Sequence, residues 1–333
     1  MTTNFTSARQ DLQEIPARSQ ADAASVSRKP EGHRILAAAP HSTWLSFQTA
    51  VLWRSALVIF LFSGTASATN LKPETLKAWE EYVVAANAQM QERLSPDHPF
   101  LVSDEDPGRA VKLRSGKILA SPADPHIPKR VPAGLIHDWN GEAFIPNATM
   151  HDVLPIVRDY GCYKKVYQPV VVDSRAIAAS KSEDQFSMLL MNKSLISKTA
   201  LDSDFRSSYF RVNEQRWYSV SESTRIQEIA GYGTGGQHTL PEDEGTGLIW
   251  RTYSITRFEE RDGGVYIEVE AIVLSRDIPI SLGWIAAPIV RRVSRESLIT
   301  SLRQTRDAVC SAAKLGETAA PHLVGASSKT IPR

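Results

Sequence analysis

The chain has 333 residues, 42% hydrophobic and 23% charged, which is the composition of an ordinary globular protein. Lys and Arg number 38 against 37 Asp and Glu, so the net charge of +1 supplies no overall field to recruit nucleic acid. Two cysteines, Cys162 and Cys310, exclude a disulfide framework and a cysteine zinc centre. They form one bridge at most, and both lie in apolar helical patterns that suit buried free thiols.

Residues 1–50 are polar, mixed in charge and without hydrophobic period, and read as disordered. The run SALVIFLFSGTASATN (55–70) follows. Its apolar stretch, Ala56 to Phe62, falls short of the roughly 20 residues a membrane span needs. Arg54 precedes it, and Ala66-Ser67-Ala68 ends it in small residues. Residues 51–68 are therefore expected to be a signal peptide, cleaved after Ala68, with export to the periplasm or beyond. The alternatives are a core helix and an anchor retained through residues 51–66. Fifty residues ahead of a signal suggest a start assigned too far upstream, with initiation at Val51 or nearby.

Leu76, Trp79, Val83, Ala86, Met90 and Leu94 recur at helical spacing, and Pro73 and Glu74 suit a first turn. An amphipathic helix is expected over 69–95, packed on the main domain. Residues 96–130 are rich in proline and read as an extended connector. AVKLRSGKILAS within it suggests a hairpin turning at Ser115-Gly116.

The main domain is expected over 131–315, with a flexible tail over 316–333. GLIHDWNGEAFI (134–145) alternates like a strand. Two short helices broken by Pro155 and Gly161 follow, then about six strands, the last two joined by the turn Arg261-Asp262-Gly263-Gly264. After Arg276 the chain reads as a loop containing Pro279, Gly283 and Pro288. A long helix closes the domain, with Val293, Leu298, Leu302, Ala308 or Val309, and Ala312 on one face.

This order predicts an α+β fold in which one curved antiparallel sheet wraps around a long C-terminal helix. It resembles the helix-grip fold of START-type lipid-binding domains, polyketide cyclases and birch-pollen-type allergens. LIHDWNGEAFIPNATMHDVLPIVRDYGCYKKVYQPVV (135–171) is similar to the opening strand and helical pair of such domains. RFEERDGGVYIEVEAIVLSRDIPISLGWIAAPIV (257–290) is similar to the passage that ends them. The resemblance spans roughly 131–315 and implies a cavity between sheet and helix. It transfers no catalytic residue, since the family has no universal catalytic signature.

The residues add detail. Val265, Ile267, Val269, Ala271 and Val273 share one strand face, expected to look at the helix. Tyr266, Glu268 and Glu270 share the other, where the two glutamates read as an exposed ladder paired with Arg251 or Arg257, or else as a buried polar pair that orients a ligand. In GLIWRTYSITRFEE, Trp250, Thr252, Ser254, Thr256 and Phe258 compete with Ile249, Tyr253 and Ile255 for the inward face, and RWYSVSES repeats the question. The expected lining is Tyr160, Tyr163, Tyr167, Trp217, Trp250, Tyr253, Val269, Ala271, Trp284, Leu298 and Leu302.

No histidine pair has HExxH spacing and no cysteine lies near one at zinc spacing, so no metal or cofactor is expected. GYGTGG (231–236) lacks a following Lys-Ser/Thr and reads as a loop, kept also as a pocket lid. Ser311 and Lys314 match an SxxK spacing without its partner motifs. The expected function is an exported module that holds an apolar small molecule or lipid, with transient membrane contact as a further partner. The alternatives are a cyclase- or aromatase-like enzyme using Glu268, Glu270, His137 or Tyr163, and a filled-core domain acting through its surface.

Overall fold

A computed structural model describes residues 69–193, 198–278 and 280–319. The expectations for residues 1–68, signal and anchor alike, lie outside the described residues. A short strand β1 (Thr69–Asn70) leads into helix α1 (Pro73–Glu92), which Pro73 opens and whose first turn carries Glu74. Trp79, Ala86 and Met90 are buried, and Leu76, Val83 and Leu94 pack beside them. The expected stripe therefore docks on the domain.

The connector departs from expectation. It holds a short 3-10 turn (Val102–Glu105), helix α2 (Pro107–Arg114) and strands β2 (Leu119–Pro122) and β3 (Lys129–Val131). The hairpin expected within AVKLRSGKILAS is a helix end followed by a strand. The Asp106 side chain accepts from Gly108 N–H and Pro107 stands at the first position, two start signals that outweigh a weak alternation. The segment is not a loose connector, since Phe100, Leu101 and Leu113 are buried in the core.

The main sheet begins with β4 (Gly134–Pro146). Helix α3 (Met150–Val157) follows, its N-terminus closed by Asp152 accepting from Thr149 N–H at 2.8 Å. Helix α4 (Tyr163–Val166) completes the expected helical pair. Strands β5 (Val171–Ala179), β6 (Glu183–Lys193), β7 (Lys198–Arg211) and β8 (Arg216–Ala230) then run antiparallel. The loop after β8, which includes GYGTGG, carries β9 (His238–Thr239) on β8 and β10 (Glu244–Gly245) on β1. Strands β11 (Arg251–Arg261) and β12 (Gly264–Arg276) turn at Asp262-Gly263, both with positive φ, in the two-residue hairpin expected there.

The order across the sheet is β2-β4-β12-β11-β8-β7-β6-β5, with β3 also on β4. Helix α5 (Ile280–Ala319) closes the fold, giving the α+β helix-grip arrangement. It starts earlier than expected. Gly283 and Pro288 do not hold the chain in a loop, because a long helix keeps the hydrogen bonds of its other turns around one missing N–H. It also runs into the supposed 316–333 tail. Leu298, Leu302 and Val309 form its buried stripe, whereas Val293 is 60% exposed and Ala312 is exposed, so these two do not belong to that face.

The sheet carries a layer on each side. On the α5 face, Trp139, Ala143, Ile145, Phe258, Val265 and Ile267 pack with Leu298, Leu302 and Val309. On the other, the α1 face, Ile136, Tyr218, Ile255, Ile272 and Leu274 pack with α1 and Leu113. The crossing of α5 over β4 depends on Gly141. A Cβ there would lie 2.5 Å from Leu298 Cγ and 2.8 Å from Leu302 Cδ1. Gly141→Val is expected to destabilise the protein by about 1–3 kcal/mol through overpacking. Thermal unfolding should show a lower midpoint, and an unchanged one would deny that contact.

Candidate functional site

The α5 face has two walls and a floor. One wall is α5, seated by Leu298 and Leu302 over Gly141. The other is aromatic. Tyr160 stacks on Phe186 at 4.0 Å, and Phe186 stacks on Phe205 at 5.1 Å. Tyr163 meets Tyr167 edge-on at 4.8 Å.

Polar ties hold this second wall. Arg158 grips buried Asp184 through Nε and Nη2, each at 2.8 Å, and Tyr160 OH donates to the same carboxylate at 3.1 Å. Tyr163 OH donates to the Val157 carbonyl at 2.5 Å. Thr305 Oγ1 donates to Ser301 O, which leaves it free to accept from Tyr167 OH at 2.9 Å. A hydroxyl pair thus ties the two walls together.

The floor between them is made of small side chains. Register places Ser207, Ser221, Ser254 and Ala271 in one row across β7, β8, β11 and β12, ending at Trp139. The adjacent row reads Tyr209, Ser219, Thr256, Val269 and Gly141. Ser221, Ser254, Thr256, Val269 and Ala271 are only half-buried. Their neighbours on the α1 face, Tyr253, Ile255, Arg257 and Ile272, are buried. The face that normally fills a sheet's core is the more open of the two, and a close-packed interior does not leave such a strip.

Most expected lining residues gather here: Tyr160, Tyr163, Tyr167, Val269, Ala271, Leu298 and Leu302, with Trp217 half-buried against the α5-side core. Trp250 and Tyr253 are corrections, since both belong to the α1-side core. Trp250 precedes β11, where strand alternation no longer governs it. Tyr253 alternates away from α5 and donates to Asn87 Oδ1 of α1 at 2.7 Å. It lines a separate recess of about 240 Å³ between α1 and β8/β11, with Trp79 and Val83. The Trp284 side chain lies outside the described ones. Ser254 and Thr256, on one of the two faces that compete for the inward side, and Ser219 and Ser221 of RWYSVSES lie on the α5 face, although none of the four stands in the expected lining. Only register shows that the two sets adjoin.

Glu268 and Glu270 are not an exposed ladder but a buried polar pair. Both are buried on the α1 face and receive Arg257, of the two arginines expected. Arg257 Nε meets Glu268 at 2.7 Å, and Nη2 meets Glu270 at 3.2 Å. Burial raises the Glu268 carboxyl above its ordinary range, against the pull of Arg257.

Asp138 lies on the same face. Burial and the Glu270 charge push it up to about 7, opposed by the hydrogen bond from Tyr82 OH and by Arg257. His137, one residue away, alternates to the α5 face and lies 3.0 Å from Ser275 Oγ, and burial pushes it down to about 4. On the aromatic wall, burial raises the phenols of Tyr163 and Tyr167, and pushes Tyr209 up to about 12. These tyrosines are therefore neutral at pH 7.

Among the described residues, no cluster of three or more His, Cys, Asp or Glu side chains is arranged to hold a metal, and no helix is long and apolar enough to cross a membrane. Both cysteines are free and half-buried.

The raised Asp138 carboxyl has a signed consequence. Its contribution to stability is full below its ordinary range and is lost as pH rises through about 7. His137 has the opposite sign: its contribution is full above its ordinary value and lost as pH falls toward about 4. Asp138→Asn removes only the first. Urea midpoints should therefore rise relative to the unsubstituted protein between about pH 5 and pH 8. A constant difference across that window would deny a buried, protonated Asp138.

No model of a known protein family matches this chain, and no curated protein does. Solved structures resemble it at low identity. A STAR-related lipid transfer protein fragment from Xanthomonas axonopodis is 17% identical, covering 57% of this chain and 98% of its own, at TM-score 0.38. Human STARD10 is 9% identical over 69% of this chain and 89% of its own, at TM-score 0.36. The Zhui aromatase/cyclase from Streptomyces sp. R1128 is 10% identical over 55% and 97%, at TM-score 0.34. Identity this low says nothing of ligand or chemistry.

Proposed function

We propose that this chain is a binding module that holds an apolar small molecule or lipid between the sheet and α5. The observation that carries the reading is the half-open floor of Ser221, Ser254, Thr256, Val269 and Ala271 between the aromatic wall and the helix. Aliphatic and aromatic walls remove apolar surface from water, and the few hydroxyls on the floor offer partners to one polar end of a ligand.

A cyclase-like role needs an acid or base at the site. Glu268 and Glu270 face α1, His137 is a weak base, and Tyr163 already donates to Val157. These placements favour carriage over chemistry. Solvent extraction of the purified protein followed by mass spectrometry is expected to release a stoichiometric apolar compound. Ala271→Trp fills the floor and should lose most of that compound while the protein stays folded. An empty protein, or an Ala271→Trp variant as fully loaded as the parent, would count against carriage.

Export belongs to the same proposal, because an apolar molecule that crosses water needs a cover. Cleavage after Ala68 leaves Thr69 first, and Thr69 pairs with Gly245 in the two-stranded sheet. Intact-mass measurement of protein recovered outside the cytoplasm should give a chain starting at Thr69. Recovery there with residues 1–50 attached would refute the cleavage.

A further inference from the structure

Strand β5 ends the sheet, and among the described residues nothing pairs with its outer edge. Val170 is 50%, Val172 37% and Ile177 51% exposed. An open edge with exposed aliphatics invites a partner. The stretch 164–182 also concentrates positive charge: Lys164, Lys165, Arg175 and Lys181 against Asp173 as its one acid. All five are exposed, and Asp173 is already held by Lys164 at 2.8 Å. A chain of nearly zero net charge thus carries a local cationic, apolar rim.

Val172 and Ile177 fall at the two places where β5 slips register against β6. A bulged edge is a poor template for a second strand. Exposed aliphatic side chains at the bulges, on a stretch that also carries exposed Lys165, Arg175 and Lys181, instead match the interface of a bilayer with anionic headgroups. The rim also adjoins the site. Next to Tyr167, whose hydroxyl meets Thr305, the Gln168 carbonyl accepts from Gln304 of α5 at 2.7 Å.

The geometry points to the β5 edge, with the Lys164–Val170 segment, as the surface that settles on an anionic lipid bilayer. This inference rests on the carrier reading, for a carrier must reach the surface that loads or unloads it. The test is co-sedimentation of the purified protein with vesicles of phosphatidylcholine alone, and with vesicles of equal parts phosphatidylcholine and phosphatidylglycerol. The protein should bind the mixed vesicles only, and should release as salt is raised. Val172→Asp with Ile177→Asp, and separately Lys165→Glu with Lys181→Glu, should each lose most of that binding with unchanged melting.

Binding that survives either pair of substitutions, or an unsubstituted protein that ignores both vesicles, overturns the proposal. So does a dimer that the aspartate pair splits, which would assign the edge to a second copy. Extraction of the same preparations reports the carrier reading separately. None of the four side chains belongs to the floor, so ligand content should stay level while vesicle binding falls.

Discussion

Arg257 is 1% exposed in the middle of β11, and the structure is organised around keeping that charge paired. Breaking one side of such a buried pair costs about 3–5 kcal/mol. Glu268 and Glu270 on β12 supply the partners, which ties the register of the two strands to an ion pair as well as to the hairpin turn. Glu268 also accepts from Val102 N–H at 2.7 Å. The carboxylate that neutralises the arginine therefore holds the N-terminal segment as well. Arg109 of α2 repeats the pattern on buried Glu142.

These ties make residues 71–114 the cover of the sheet. Without them the α1 face would present Ile255, Ile272 and Leu274 to water beside unpaired charges. With them, that face becomes the main core. The α5 face is thereby released from carrying the hydrophobic load alone, and it can keep serines, a threonine and an alanine where a lone core would need large side chains. The opening on one side follows from the packing on the other.

The sequence and the structure part company where local pattern and long-range partner disagree. Strands β4 and β12, the Asp262-Gly263 turn and the stripe of α1 were legible because each rests on a two- or four-residue period or a two-residue turn. Helix α2 was misread because Asp106 and Pro107 weigh more than the alternation around them. Glu268 and Glu270 looked like solvent-facing residues, since nothing near them in sequence reports the helix that covers them. Trp250 and Tyr253, both expected in the lining, belong to the α1-side core. Period alone states that two sets of residues oppose each other and leaves open which set looks at α5.

The order of elements, the periods that make them and the sharp hairpin are local properties, carried by neighbours within a few residues, and the sequence alone determined them. The side of the sheet that becomes core, the pairing that Arg257 finds and the adjacency of Ser221, Ser254 and Ala271 depend on strands far apart in the chain. Those were decided only when the chain closed on itself. Burial of a charge, like the room left beside a helix, is a property of all the surrounding side chains together.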